Sequence, residues 1–182
     1  MDRDLVERAQ RGDREAYAQL ARQCSDRLYG LARRTLRDAD AASDALQATL
    51  IQIWRDLPNL RDPDRFDAWS YRILLRSCQS DRRRAKRSVV SLGAVTIEPP
   101  VADSQLSIAM RDELDRAFRT LTDDQRSVLV LAYYRDLPVD EIADTLGIST
   151  GTVKSRLHYA RLAMRAALDA GARSIAGEGR PA

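Results

Sequence analysis

The residues best suited to chemistry lie in the last third of the chain. From Thr145 to Leu168 the sequence holds four basic residues and no acidic one, whereas residues 111–144 hold five basic and nine acidic residues. Apolar residues recur along one side of the basic segment, so its polar and basic side chains face outward. Arg and Lys in such an arrangement contact DNA phosphates or guanine edges, and Ser and Thr contact either. The segment therefore predicts a helix that binds the major groove of DNA, and a merely solvated basic helix is the alternative.

The residues just before this helix are typical of a helix-turn-helix. Ile142 and Leu146 form an inward stripe, and Gly147 can adopt the left-handed conformation that ends a helix. Ser149 or Thr150 then caps the second helix. We assign Lys154 and Ser155, with Tyr159 as a further candidate, to base readout, and Arg156 and Arg161 to phosphate contacts. The outward-facing set comprises Thr152, Lys154, Ser155, Arg156, His158, Tyr159 and Arg161.

A second basic segment lies in the first half of the chain. Residues 70–87 hold seven basic residues and one acidic residue, and Phe66, Trp69 and Tyr71 lie at or just before them. A cationic helix with neighbouring aromatic side chains can hold a nucleic-acid backbone and stack an unpaired base. The alternative is that Phe66 and Trp69 belong to the core and the charges to a solvated face. The presence of two separate basic helices favours a protein that contacts one extended nucleic acid at two places.

Apolar residues recur at three- and four-residue spacing through most of the chain, and no segment alternates as a strand does. The pattern predicts an all-α protein with two small helical domains joined by a linker, the second being a helix-turn-helix domain. We expect the first domain at residues 1–87, the linker at 88–108, the second domain at 109–170 and a flexible tail at 171–182. A buried strand at Val89–Val90 is the alternative within the linker.

Composition argues against several other classes of protein. Hydrophobic residues make up 44% of the 182 residues, enough for a helical core. Cys24 and Cys78 lack a ligand-spaced partner, as does His158, so we expect two reduced thiols and no metal site. No signal peptide or membrane-spanning run is evident, which predicts a cytoplasmic protein. No paired carboxylates, Ser/His/Asp set or phosphate-binding glycine loop indicates an enzyme.

Four motifs in the second half resemble the extracytoplasmic-function sigma factors of the sigma-70 family. They are Leu121–Arg126, Asp140–Ala143, Leu146–Ser149 and Gly151–His158. Residues of the first half fit the same family. Those that fit its polymerase-binding helix are Asp44, Leu46, Gln47, Leu50 and Trp54. Those that fit its promoter-opening helix are Phe66, Trp69, Tyr71, Arg72 and Ile73. The resemblance extends over about Leu5 to Leu168.

The resemblance implies a sigma factor that directs promoter-specific transcription initiation, without cofactor, metal, membrane insertion or catalytic activity. Its implied partners are the β and β′ subunits of core RNA polymerase and promoter DNA, and an anti-sigma factor is a candidate partner whose existence the sequence does not decide. The implied core-binding residues are Asp44, Gln47 and Gln52. The implied contacts with the −10 element are Asn59, Leu60, Arg61, Asp62, Trp69, Tyr71, Arg72, Arg76 and Arg83. The outward-facing set of the helix-turn-helix would contact the −35 element.

Two further expectations follow for the polymerase-binding helix and the promoter. We expect Gln47 to be exposed and Trp54 to lie largely in the core. Departures from the family pattern bear on which promoter is recognised rather than on the class of function; they are Ala48, Arg76, Ser80, Pro138 and Tyr159.

The alternative function is a helix-turn-helix regulator with a helical sensory or dimerisation domain, which would bind duplex DNA without polymerase.

Overall fold

The computed structural model describes residues 1–88 and 108–178, and within them it contains helices and turns but no strand. This confirms the predicted all-α class. The predicted linker lies almost entirely outside the described residues, as does the alternative strand at Val89–Val90. The helices are α1 Arg3–Gln10, α2 Arg14–Leu36, α3 Ala39–Asp56, α4 Phe66–Ser88, α5 Ile108–Arg119, α6 Asp123–Tyr133, α7 Val139–Leu146 and α8 Thr150–Glu178.

The chain divides into two compact units, of which the first contains α1 to α4. Helices α2 and α3 each begin at an aspartate whose carboxylate accepts hydrogen bonds from backbone N–H groups. The first amides of a helix need such an acceptor because they have no partner within the helix. Asp13 accepts from Glu15 and Ala16 at the start of α2, and Asp38 accepts from Ala41 at the start of α3. The Ala16 amide and the Arg8 guanidinium hold the pKa of Asp13 below its ordinary value.

The core of the first unit is built from the apolar stripes of α2, α3 and α4. Its largest fully buried side chains include Leu20, Leu28, Leu31, Ile53, Leu57, Phe66, Leu74 and Leu75. Cys24 and Cys78 are buried free thiols, and burial raises the pKa of Cys24 to about 11. A thiol with so high a pKa is almost fully protonated at neutral pH, and the thiolate is the reactive form. The first unit is therefore held by apolar packing without a disulfide at these positions.

The second unit contains α5, α6, α7 through Ala143, and α8. Thr122 and Gln125 form a capping box at the start of α6, in which each side chain bonds the other residue's backbone N–H. Leu121, Val128 and Leu131 are buried. Helix α6 is a support for α8, because α6 and α5 both lie along α8.

Helix α8 differs from the sequence expectation at its end. It continues to Glu178, whereas a flexible tail was predicted from residue 171. Gly171 costs a helix about 1 kcal/mol relative to Ala. A Cβ at Gly171 would lie 3.0 Å from Oε1 of Glu113, which is the flexible end of a side chain on α5. Residues 179–182 lie outside the described part of the chain.

The described helices and side chains also bear on membrane insertion and on metal binding. None of the helices in the described residues is both long and apolar enough to cross a membrane. In the same residues, no three His, Cys, Asp or Glu side chains come together in a way that could hold a metal ion.

Candidate nucleic-acid and protein interfaces

The turn between α7 and α8 has the geometry that the sequence predicts. Gly147 has a φ of 68°, and its N–H donates to the Ala143 carbonyl at 2.8 Å, which ends α7. Ser149, rather than Thr150, caps α8, since its Oγ accepts from the Thr152 N–H at 3.1 Å. A left-handed glycine and a side-chain cap fix the angle at which the second helix leaves the first. These bonds define the direction of α8 within the second unit.

The two faces of α8 are clearly separated. Val153, Leu157 and Ala160 are buried against the rest of the unit. The opposite surface exposes five of the seven predicted contacts, namely Lys154, Ser155, His158, Tyr159 and Arg161. Thr152 is only partly exposed, because its Oγ1 lies 2.8 Å from Oγ of Ser149 within the cap. The exposed side of α8 is thus polar, aromatic and basic, as a surface for DNA requires.

Two arginines of α8 have partners within the unit that the sequence did not reveal. Nη2 of Arg156 lies 2.6 Å from Oδ2 of Asp124, and the Arg156 side chain is only 29% exposed. Nε of Arg161 donates to the Tyr133 hydroxyl at 2.8 Å, and its guanidinium lies over the Tyr133 ring. Arg156 is therefore held by a carboxylate rather than presented freely to phosphate. Asp124 and Tyr133 lie far from α8 in sequence, so only the packing of α6 on α8 reveals them.

On α3, the three predicted polymerase contacts, Asp44, Gln47 and Gln52, are all exposed. The exposure of Gln47 confirms the sequence expectation. Ile51 follows Gln47 by one turn and is 55% exposed, so it adds an apolar side chain to the same surface. The spacing of Ile51 from Gln47 already indicates in the sequence that the two side chains share one face of α3.

The prediction that Trp54 belongs largely to the core is wrong. Trp54 is 40% exposed, and its ring packs edge-on against Tyr17 with centroids 4.6 Å apart. Ile53 takes the buried position instead, and the next residue of a helix is rotated by about 100° from it. Tyr17 is fixed in turn, since its hydroxyl donates to the Leu50 carbonyl at 2.5 Å. Trp54 therefore contributes a half-exposed aromatic surface to the outer side of α3.

The segment between α3 and α4 forms two 3₁₀ turns, Leu57–Asn59 and Pro63–Arg65. Leu57 and Pro63 are buried and anchor the two ends. Between them, Asn59, Arg61 and Asp62 are exposed and Leu60 is partly exposed. Asp62 is partly engaged locally, because its Oδ1 accepts from the Asp64 N–H at 3.1 Å. The segment presents several predicted −10 contacts on a short anchored loop.

Helix α4 presents part of its predicted promoter surface. Trp69 and Arg72 are partly exposed and Arg76 is exposed. The Trp69 ring contacts the buried Phe66 ring, with centroids 6.0 Å apart, so the core alternative is correct for Phe66 and only partly correct for Trp69. The side chain of Arg83 lies outside the described residues.

The structure contradicts the predicted contact of Tyr71 with the −10 element. It is 3% exposed, so its side chain is unavailable to DNA in this structure. Together with Leu74, Leu75 and Cys78 it forms a buried stripe at helical spacing, the i, i+3, i+4 and i+7 positions of α4. That spacing was visible in the sequence, and it outweighs the neighbouring basic residues that suggested a surface role.

Comparison with known protein families gives two matches. The profile described as Sigma-70 region 2 matches residues 20–88, and the profile described as Sigma-70, region 4 matches residues 117–166. The first match spans most of the first unit, and the second covers the helix-turn-helix together with α6. The order of the two matches along the chain is that of the two units.

Curated relatives and a solved structure agree with these matches over nearly the whole chain. The chain is 32% identical to the RNA polymerase sigma-H factor of Pseudomonas aeruginosa, over 92% of this chain and 93% of that protein. It is 34% identical to the ECF RNA polymerase sigma factor SigK of Mycolicibacterium vanbaalenii, over 92% and 89%. A solved structure of CnrH in complex with the cytosolic domain of CnrY superposes with a TM-score of 0.67 at 28% identity, covering 93% and 97%. The chain belongs to the extracytoplasmic-function sigma factors of the sigma-70 family, which direct RNA polymerase to promoters.

Proposed function

We propose that the two units divide promoter recognition, with the second unit contacting the −35 element and the first unit contacting core polymerase and the −10 element. The observation that best supports this division is the exposed face of α8, which follows a capped helix-turn-helix and carries polar and basic side chains. The alternative of a regulator that works without polymerase is not favoured, because the relatives are sigma factors and the matches cover 93% and 89% of their lengths.

Within the second unit, the start of α8 is assigned to the base edges of the −35 element. The N-terminal part of a recognition helix is normally nearest the bases. Lys154 and Ser155 lie there and are exposed, so they are assigned to base readout, with Tyr159 one turn further. Arg161 is assigned to phosphate, with the Tyr133 hydroxyl and ring orienting its guanidinium. Arg156 is assigned a structural role through Asp124, which revises its expected phosphate contact.

Within the first unit, two surfaces are assigned to different partners. The outer side of α3 is assigned to core polymerase, through Asp44, Gln47 and Gln52 and with the apolar surface of Ile51 and Trp54. The loop of residues 57–65 and the partly exposed Trp69, Arg72 and Arg76 of α4 are assigned to the −10 element. Exposed aromatic and basic side chains suit an unstacked base and its backbone.

The proposed setting is the cytoplasm, where the chain acts with RNA polymerase and supplies no catalytic residue of its own. An anti-sigma factor is a further proposed partner. The support for it is that CnrH, a structural relative at 28% identity, was solved with the cytosolic domain of CnrY bound.

Replacing Gln47 by alanine is expected to weaken binding to core polymerase by about 1 kcal/mol, or roughly fivefold, the typical size for a polar interface residue. Gln47 is exposed, so the thermal unfolding of the protein should stay unchanged. Fluorescence titration of labelled protein with core polymerase measures the affinity. Gln23→Ala, which removes an exposed glutamine from α2, is the matched control. Unchanged core affinity with intact transcription would exclude Gln47 from the interface.

Replacing Asp124 by asparagine is expected to release Arg156 from its ion pair and to tighten DNA binding at low salt by about two- to fivefold. The freed guanidinium can then bind a phosphate, and each added phosphate contact steepens the dependence of log K on log salt by about 0.9. Binding to a −35 duplex at several salt concentrations measures both quantities. Asp140→Asn removes an equal charge from an exposed position of the same unit and controls for net charge. An equal slope in both variants would show that Arg156 stays away from phosphate.

A further inference from the structure

The C-terminal end of α1 holds the loop assigned to the −10 element. Nε2 of Gln10 donates to the Leu60 carbonyl at 2.7 Å and to the Leu57 carbonyl at 3.1 Å. Gln10 is only partly exposed, and both contacts cross about fifty residues of sequence. One amide group thus spans the first 3₁₀ turn of the loop and bonds both of its ends.

The chemistry of the contact is specific to a donor with two hydrogens. The carboxamide nitrogen of glutamine donates two hydrogen bonds, which matches two carbonyl acceptors. The Leu57 carbonyl also accepts from the Leu60 N–H at 3.1 Å, so the side chain reinforces a backbone bond that closes the same turn. A partly buried carbonyl that loses its donor incurs a free-energy cost, which favours a change in the turn over an unpaired group.

A second contact from α1 reaches the other end of the loop. Nη1 of Arg3 lies 2.6 Å from Oδ2 of Asp64, in the second 3₁₀ turn. Both side chains are exposed, and an exposed ion pair contributes little, so Gln10 is the stronger of the two restraints. Leu5, Val6 and Ala9 are buried and pack α1 against the rest of the unit. Gln10 is therefore held in place when it bonds the loop.

We propose that Gln10 is a positioning residue for promoter opening, whose amide holds residues 57–60 in the shape that presents Asn59, Arg61 and Asp62 to the −10 strand. The proposal rests on the proposed function of this loop. Gln10 lies on α1, which precedes the residues matched by the region 2 profile, since that match begins at residue 20. The proposal therefore assigns α1 a role in promoter opening. Gln10 acts through the loop and is not itself assigned a contact with DNA.

The test uses the full-length protein with three variants. Gln10→Met keeps the length of the side chain and removes the donors, whereas Gln10→Lys restores donors at the same position. Gln19→Met makes the same change at an exposed position of α2 and is the matched control. Hydrogen exchange by mass spectrometry measures protection of residues 57–65 in the free protein. Open-complex formation with core polymerase is followed on a promoter selected with the wild-type protein, and on the same promoter with a mismatched, already open −10 region.

Gln10→Met is expected to speed exchange in residues 57–65 and to slow opening of the duplex promoter, each by about tenfold, as the loss of two hydrogen bonds implies. The pre-opened promoter should be less affected, affinity for core polymerase should not change, and Gln10→Lys should recover most of both effects. Unchanged exchange in the loop would overturn the proposal. Faster exchange throughout α1 to α4 would also overturn it, since Gln10 would then be a general stabiliser.

A separate variant distinguishes failure of this proposal from failure of the proposed function. Arg61→Ala removes an exposed side chain of the loop without touching Gln10. If Arg61→Ala and Gln10→Met both leave promoter opening unchanged while loop exchange rises, the loop is not a −10 contact and both assignments fall. If Arg61→Ala slows opening but Gln10→Met does not, the loop assignment stands and the positioning role of Gln10 is overturned.

Discussion

Replacing Arg126 by alanine is expected to destabilise the second unit by about 2–3 kcal/mol, because hydrogen bonds made by a charged group contribute about 1.5–3 kcal/mol. Arg126 is 2% exposed. Its Nη2 donates to the Phe118 carbonyl at 2.9 Å and to the Leu121 carbonyl at 3.4 Å, and its guanidinium lies over the Phe118 ring. The Phe118 carbonyl lies in the last turn of α5, where it also accepts from the Leu121 N–H at 3.4 Å and where helix carbonyls carry partial negative charge. Arg126 therefore joins α6 to the end of α5.

Hydrogen exchange of α5 and α6 measures this destabilisation, with α2 in the first unit as the internal reference. Arg119→Ala removes an exposed arginine from the end of α5 and should change stability by less than about 0.5 kcal/mol, as surface substitutions usually do. Trp54 and Trp69 are the two tryptophans of the chain, so tryptophan fluorescence should report little change in the first unit. Equal protection in Arg126→Ala and Arg119→Ala would show that the buried guanidinium contributes no net stability.

Replacing Lys154 by alanine is expected to weaken binding to the cognate −35 duplex by roughly 1–3 kcal/mol and to relax discrimination at one base pair. Lys154 is exposed in the first turn and a half of α8, on the flank of the face that buries Val153 and Leu157. Because a base contact supplies sequence preference, a duplex mismatched at that base pair should bind the variant and the wild type almost equally well. Anisotropy titrations of matched and mismatched duplexes measure the difference.

Arg161→Ala is the contrasting variant for this experiment. A phosphate contact carries no sequence information, so its loss should weaken matched and mismatched duplexes alike and reduce the salt slope by about one. If Lys154→Ala gives this uniform pattern, Lys154 is a phosphate contact and the assignment of base readout is wrong. If neither variant changes binding, α8 is not the element that contacts the −35 element.

The features that the sequence predicts correctly are those set by local interactions. The end of α7 at Gly147 and the cap of α8 at Ser149, which was one of two candidates, depend on residues within one turn of each other. The separation of α8 into buried and exposed faces follows from helical periodicity alone. The all-α class and the exposure of Gln47 were predictable for the same reason.

The predictions that were wrong concern side chains whose burial was inferred from residue type or from charged neighbours, and a tail that was inferred from composition. Tyr71 follows the spacing of a buried stripe, yet its basic neighbours suggested the surface. Trp54 is large and apolar, yet Ile53 occupies the core position and Tyr17 supports the indole from the side. The predicted tail at residue 171 continues as helix to Glu178. Residue type alone does not decide such cases, because burial depends on what packs opposite.

The sequence by itself determined the helices, the turn between α7 and α8, and the family to which the chain belongs. Only the tertiary structure decided which polar side chains are already engaged. Asp124 holds Arg156, Tyr133 orients Arg161, and Gln10 bonds the loop at Leu57 and Leu60. The physical reason is that helix formation and capping depend on neighbours within about four residues, whereas these polar contacts join residues 28 to 50 positions apart. Their partners are chosen by how helices pack, and no short pattern in the sequence encodes that packing.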